Sequence, residues 1–286
     1  MAVVWSGLNV ADAMTARMKV KVKELENRGI LPTLCIIRVG TRPDDLAYEN
    51  GAIARCEEVG VKVKKIVLPI DVPQDVFDRV FLEANRDPAV HGILYFRPLP
   101  GQLDEERIRP MLDPWKDVDG CTDLSLSGVF TNMELGFAPC CAQAVMELLH
   151  HYGVDPKGKK VAVIGRSLVI GRPVSMMLMH ENATVATLHT KTTDLPSITR
   201  EADILVVAAG CIHLVRPEYT NPDQIVIDVG INWDPEIGGI TGDVDFEAVE
   251  PVVSAITPVP GGVGSITSCV LVDHVIEAAK RTAGAI

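Results

Sequence analysis

Gly165, Arg166 and Ser167 follow a predicted strand over 160–164, apolar after its first residue, and precede Gly171, a spacing that suits phosphate binding. A glycine after a buried strand permits a tight turn, and a second lets the next helix pack close to the sheet. Between them, backbone amides and a helix N-terminus would face an anion. The spacing is not G-x-G-x-x-G, so the generic dinucleotide fingerprint is absent. A second strand over 183–188 ends in His189, Thr190 and Lys191, where an adenosine ribose lies in such folds. A basic and hydroxylic cluster there suits a 2′-phosphate and favours NADP over NAD. Residues 158–190 therefore read as one βαβ nucleotide-binding unit.

The elements that must position this turn alternate along the chain. A helix is predicted over 9–28, with Val10, Met14, Met18 and Val22 on one apolar face and Gly29 as its stop. A strand over 34–39, a helix over 44–59 closed by Gly60, a strand over 63–68 and a helix over 76–85 follow. A short buried strand over 92–96 runs into Pro98-Leu99-Pro100, which must end it. Residues 113–137 read as loop-rich, and 142–152 as a helix. Beyond the βαβ unit come strands over 204–209 and 224–229, an acidic loop with Asp243 and Asp245, and a helix over 266–280. Strands separated by helices imply parallel pairing with right-handed crossovers, hence an α/β fold. The length allows two domains, and the cleft between them is the expected place for chemistry.

Composition narrows the partners. A net charge of −11 argues against nucleic acid and anionic membranes, which need a basic surface. The opening residues lack a signal-peptide layout and a membrane-spanning apolar run. Seven cysteines without regular spacing fit a reducing cytoplasm. Cys140 and Cys141 are adjacent, which is not zinc-ligand spacing, so no metal is expected.

Seven motifs in fixed order resemble one family over nearly the full length. They are VG-x-x-P (39–43), KDVDG (116–120), IGRS-x-x-IG-x-P (164–173), NATV (182–185), IDVGIN (227–232), GDVDF (242–246) and TPVPGGVG (257–264). The chain resembles the methylenetetrahydrofolate dehydrogenase/cyclohydrolase family. The resemblance implies a folate-binding catalytic domain (1–145 with 266–286), a Rossmann-type NAD(P) domain (146–265), a C-terminal helix returning to the first domain, and a homodimer. It also implies residue roles. Gly165, Arg166, Ser167, His189, Thr190 and Ile231 would hold the nucleotide, Thr190 replacing the family's usual serine. Tyr48 would stack on the pterin and Asp119 would accept hydrogen bonds from its ring nitrogens, both positioning the substrate for catalysis. Pro260, Gly261, Gly262 and Val263 match the loop that closes over the substrate.

The departures lie on the folate side. The family's lysine, four residues after the tyrosine, is Ala52 here, and the glutamine before L-P-L-P is Phe96. C-T-P-x-G has become residues 140–144 (CCAQA), and F-H-P after KDVDG has become Cys121-Thr122-Asp123. Hydride transfer from a methylene bridge needs mainly proximity and alignment, so it can survive these losses. Opening the methenyl ring needs water activation by a group near neutral pKa, which alanine cannot supply. Arg55 shares the helical face of Tyr48 and Ala52 but stays protonated, and its expected use is a salt-bridged surface arginine. Arg97 should point to the strand face opposite Phe96. Lys116 is expected in a structural ion pair, and His150 and His151 at a helix end. The expected activity is NADP-dependent oxidation of 5,10-methylenetetrahydrofolate to the methenyl form, with cyclohydrolase activity weak or absent. Two alternatives stand beside it: a dehydrogenase acting on a different one-carbon carrier or heterocycle, and a non-catalytic nucleotide-binding paralogue.

Overall fold

The computed structural model describes residues 1–284, and the chain divides into two compact units. One comprises residues 1–12 and 141–267, the other residues 13–140 with the segment from 268 onward. In chain order the first elements are β1 (Val3–Val4), α1 (Gly7–Asn27), β2 (Thr33–Val39), α2 (Pro43–Val59), β3 (Lys62–Leu68), α3 (Gln74–Arg86) and β4 (Gly92–Tyr95). Next come α4 (Glu105–Ile108), α5 (Asp123–Thr131), α6 (Cys140–His151), β5 (Lys160–Ile164), α7 (Gly171–His180), β6 (Thr184–Leu188) and α8 (Leu195–Arg200). The last are β7 (Ile204–Val207), β8 (Ile225–Asp228), β9 (Asn232–Asp234), β10 (Gly239–Thr241), α9 (Phe246–Val249), β11 (Ala255–Ile256) and α10 (Gly264–Gly284).

The 13–140 unit is built on a parallel sheet in the order β3-β2-β4. Central β2 is buried along almost its whole length, as a strand covered on both faces must be. Phe77 and Phe81 lie one turn apart on α3, stack on each other, and bring Phe81 edge-on to Tyr95 of β4. Helix α2 begins with Pro43, carries Asp44 and Asp45 in its first turn and ends at Gly60 in the left-handed region. The predicted face of α1 is the buried one: Val10, Met14, Met18 and Val22 are all in the core.

The stretch 113–137 is more ordered than a loop-rich reading suggests. Thr122 accepts a hydrogen bond from the Ser125 N–H and caps α5, and Asn132 ends the helix in the left-handed conformation.

The 141–267 unit carries six parallel strands in the order β1-β11-β8-β7-β5-β6. The chain leaves β5 for β6 on one side and returns to β7 on the other, which makes a topological switch point. Strands β9 and β10 form a separate antiparallel ribbon. The acidic loop around residue 243 is not a solvated run: Asp243 is fully buried, and Asp245 caps α9. Among the described residues no helix is long and apolar enough to cross a membrane. All seven cysteines are free thiols.

Candidate active site

In the 13–140 unit, Tyr48 of α2 meets Phe96 edge-on, with ring centroids 6.2 Å apart. One turn further along α2, Ala52 is 0% exposed, so a packed methyl group occupies the position where the resemblance leads one to expect an amine. Arg97 turns to the other side, as strand alternation predicts. Its guanidinium carbon lies 5.9 Å from the Tyr95 ring centroid, and its Nη2 stands 3.2 Å from Asp119 Oδ2. Consecutive residues thus reach the two side chains expected to place a pterin. Arg42, at the N-terminus of α2, donates to the carbonyl oxygens of Arg97 and Pro98 and fixes that segment against the helix.

The two aspartates of KDVDG have separate tasks. Asp117 is fully buried and accepts hydrogen bonds from the Cys121 and Thr122 N–H groups and the Ser125 hydroxyl. It braces the turn. Asp119 keeps 27% of its side chain exposed, and Arg97 keeps 25%. Burial pushes the Asp119 carboxyl above the ordinary carboxylate value, while Arg97 opposes that rise. Burial also pushes the Cys121 thiol well up, and that thiol hydrogen-bonds the Tyr95 hydroxyl, so it is not poised as a nucleophile.

Two basic residues have structural tasks. Arg55 pairs with Glu58 and donates to the Thr15 hydroxyl, the salt-bridged role expected of it. Lys116 departs from its expected ion pair: its ammonium donates to the carbonyl oxygens of Asn85 and Asp87. Both carbonyls lie at the C-terminal end of α3, where a cation is favoured.

In the 141–267 unit, Gly165 has φ +125°, and a Cβ there would lie 2.3 Å from the Ala208 carbonyl oxygen at the end of β7. A Cβ on Gly171 would lie 2.2 Å from the Gly165 carbonyl oxygen. Only glycines allow β5, α7 and β7 to converge this tightly at the switch point. Arg166 and Ser167 are exposed there, and the Ser167 hydroxyl accepts the Ile170 N–H beside the start of α7. After β6, His189 Nδ1 accepts the Lys191 N–H and the Thr192 hydroxyl accepts the His189 N–H. This closed turn leaves Thr190 and Lys191 exposed.

Two buried carboxylates organise the neighbouring loops. Asp243 accepts hydrogen bonds from the N–H groups of Ala209, Gly210 and Cys211 and from the Asn232 side chain. Asp228, at the end of β8, accepts from the N–H groups of Gly230, Asp243 and Val244. Burial pushes its carboxyl up to about 7 against the pull of those donors. Ile231, Pro260, Gly261 and Gly262 line one cavity of about 210 Å³ beside Asp228, whereas Val263 is in the core. The Arg97–Asp119 pair and the bracing roles of Asp228 and Asp243 are not visible in the sequence. Only the aspartates set within apolar surroundings, IDVG and GDV, offered a signal that carboxylates were going inside.

These features fit a dinucleotide. A glycine turn that any Cβ would block sits at the switch point, next to exposed amides, and a hydroxyl with an ammonium follows the second strand. Comparison with known proteins agrees. Residues 5–119 match the tetrahydrofolate dehydrogenase/cyclohydrolase catalytic domain, and residues 139–283 match the NAD(P)-binding domain of the same family. The bifunctional protein FolD of Carboxydothermus hydrogenoformans is 47% identical over 276 residues, covering 96% of each chain. The crystal structure of the bifunctional FolD enzyme from Campylobacter jejuni superposes with a TM-score of 0.95 at 37% identity, covering 99% of this chain and 100% of that one. A Trypanosoma brucei FolD structure, complexed with NADP and an inhibitor, gives 0.93 at 35% identity, covering 99% and 98%. With its glycine turn, its KDVDG loop and a match to both domains of the family, the chain belongs to the tetrahydrofolate dehydrogenase/cyclohydrolase family.

Proposed function

We propose that this protein oxidises 5,10-methylenetetrahydrofolate to 5,10-methenyltetrahydrofolate with NADP, and that it hydrolyses the methenyl product poorly or not at all. The observation that carries the second clause is Ala52, fully buried one turn after Tyr48. The first clause is supported by family membership and by the glycine turn. Gly165, Arg166 and Ser167 would hold the pyrophosphate, with Ile231 nearer the nicotinamide. Thr190 and His189 would hold the ribose end, and exposed Lys191 favours a 2′-phosphate. When bound, the nicotinamide supplies a hydride acceptor.

This chain's residues do the positioning. Tyr48 presents its ring for stacking, and its edge contact with Phe96 limits its rotation. Asp119 accepts from the pterin's ring nitrogens. With Ala52 and Phe96 in place of an amine and an amide, no side chain at those positions can move a proton to or from water.

A homodimer is supported by the β9–β10 ribbon. Trp233 and Ile240 face each other across it, and both are exposed together with Ile231 and Ile237. The sequence's charge and free cysteines support a cytoplasmic enzyme without nucleic-acid or membrane partners.

A paired absorbance assay tests the activity, following NADPH and methenyltetrahydrofolate together. NADPH formation with a persistent methenyl signal is expected. Rapid loss of that signal would refute the cyclohydrolase clause, and nucleotide binding without turnover would refute the dehydrogenase.

A further inference from the structure

The pairing of Arg97 with Asp119 changes what the aspartate can read. A lone carboxylate is acceptor-only and takes any two N–H groups. A guanidinium is a fixed planar fork of donors that never loses its charge. Here one contact, Nη2 to Oδ2 at 3.2 Å, sets a donor edge beside an acceptor edge. Both side chains remain about a quarter exposed, so their outer edges stay within reach of a ligand. The guanidinium is held from behind by the Tyr95 ring and flanked by Glu105 Oε1, 4.0 Å from Nη1. Arg42 holds the Arg97 carbonyl, so the backbone under this fork is tied to α2.

We propose that Arg97 is a specificity-determining residue: with Asp119 it forms a donor–acceptor pair that reads the lactam edge of a 4-oxo pteridine. The C4 carbonyl accepts from Arg97 while the adjacent ring N–H donates to Asp119. A 4-amino pteridine reverses that edge, turning its amino donors toward the guanidinium. This rests on the reading of Asp119 as the pterin anchor and goes beyond it, because the carboxylate meets only the ring nitrogen, whereas Arg97 reads the substituent at C4 itself.

Folic acid and aminopterin differ only in carrying the oxo or the amino group at that carbon. Their dissociation constants are measured by calorimetry with saturating NADP, for the unmodified protein, Arg97→Gln and Arg97→Lys. The unmodified protein should prefer folic acid. Arg97→Gln, whose amide can offer an acceptor to the amino group, should shift the ratio at least about tenfold toward aminopterin, the worth of one charged hydrogen bond. Arg97→Lys, which keeps a charged donor, should retain the sign of the preference. A purely structural ion pair would weaken both ligands alike, and an unchanged ratio in Arg97→Gln overturns the proposal. If the unmodified protein binds NADP but neither pteridine, the folate reading falls and this inference with it.

Discussion

Arg38 of β2 and Glu49 of α2 meet inside the protein, Nε to Oε2 at 2.8 Å, and Lys65 of β3 takes the other carboxylate oxygen. Glu49 is 0% exposed and directly follows Tyr48, so this ion triad fixes the helix that presents the ring proposed to stack on the substrate. Removing one member leaves buried charge uncompensated. Glu49→Gln should therefore lower the unfolding free energy by about 3–5 kcal/mol, read from urea denaturation. Burial works against the carboxylate, but Lys65 and Arg38 hold its pKa below the ordinary glutamate value. Its contribution is thus present above the unfolded pKa of about 4.3 and fades as the pH falls below it, and Glu49→Gln should lack that acid limb. A loss under about 1 kcal/mol would contradict the triad's role.

Restoring the missing amine needs room as well as chemistry. Ala52→Lys alone places an ammonium where a methyl is fully packed, and it should lower stability by about 2–4 kcal/mol without gaining hydrolysis. Ala52→Lys with Phe96→Gln supplies the amide that can orient the amine. Disappearance of methenyltetrahydrofolate should then accelerate at least about tenfold over the unmodified protein. No gain in the double variant would mean that the hydrolytic step was limited elsewhere.

Asp228 makes the opposite pH prediction from Glu49. Its folded pKa of about 7 lies above that of an unfolded aspartate, so its stabilising contribution is full below about pH 4 and is lost as the pH rises through 7. The stability advantage of the unmodified protein over Asp228→Asn should narrow by roughly 3 kcal/mol between pH 4.5 and 7.5. Urea unfolding of both proteins at the two pH values checks this. A widening gap would show that the three N–H donors outweigh burial.

Gly165→Ala should weaken NADP binding by about tenfold or more, because the new methyl must displace the Ala208 carbonyl while the backbone holds φ +125°. Gly158→Ala is the control. That glycine also has positive φ, but nothing lies within 4 Å of an added Cβ, so stability should drop by about 1 kcal/mol while affinity holds. Fluorescence titration with NADPH distinguishes them, and equal losses would detach the turn from the cofactor.

Periodicity located the long elements well. The β5 bounds agree to the residue, and the apolar face of α1 is the buried one, because both patterns come from burial itself. Helix α5 was hidden by its short length and mixed composition, although Thr122 and Asn132 sit at its ends as capping residues. The β9–β10 ribbon has three residues in each strand, too few to show alternation. On the site, motif spacing found the glycine turn and the KDVDG loop. It did not divide labour between Asp117 and Asp119, since that depends on which carboxylate the turn folds around. Nor did strand alternation alone show what Arg97 meets: its partner lies 22 residues away, beyond α4.

The four hydrogen bonds on Asp243 bind the segment after β7 and the start of the β9–β10 ribbon to one side chain, and Asp228 adds the turn after β8. These loops therefore share a single length constraint. An insertion in one would pull its donors off a carboxylate that the others still occupy, so segments exchanged with a relative should be tolerated as a matched set and fail singly. Variation at this end of the sheet is left to outward side chains, such as that of Cys211, which hangs from the braced backbone without bearing on it.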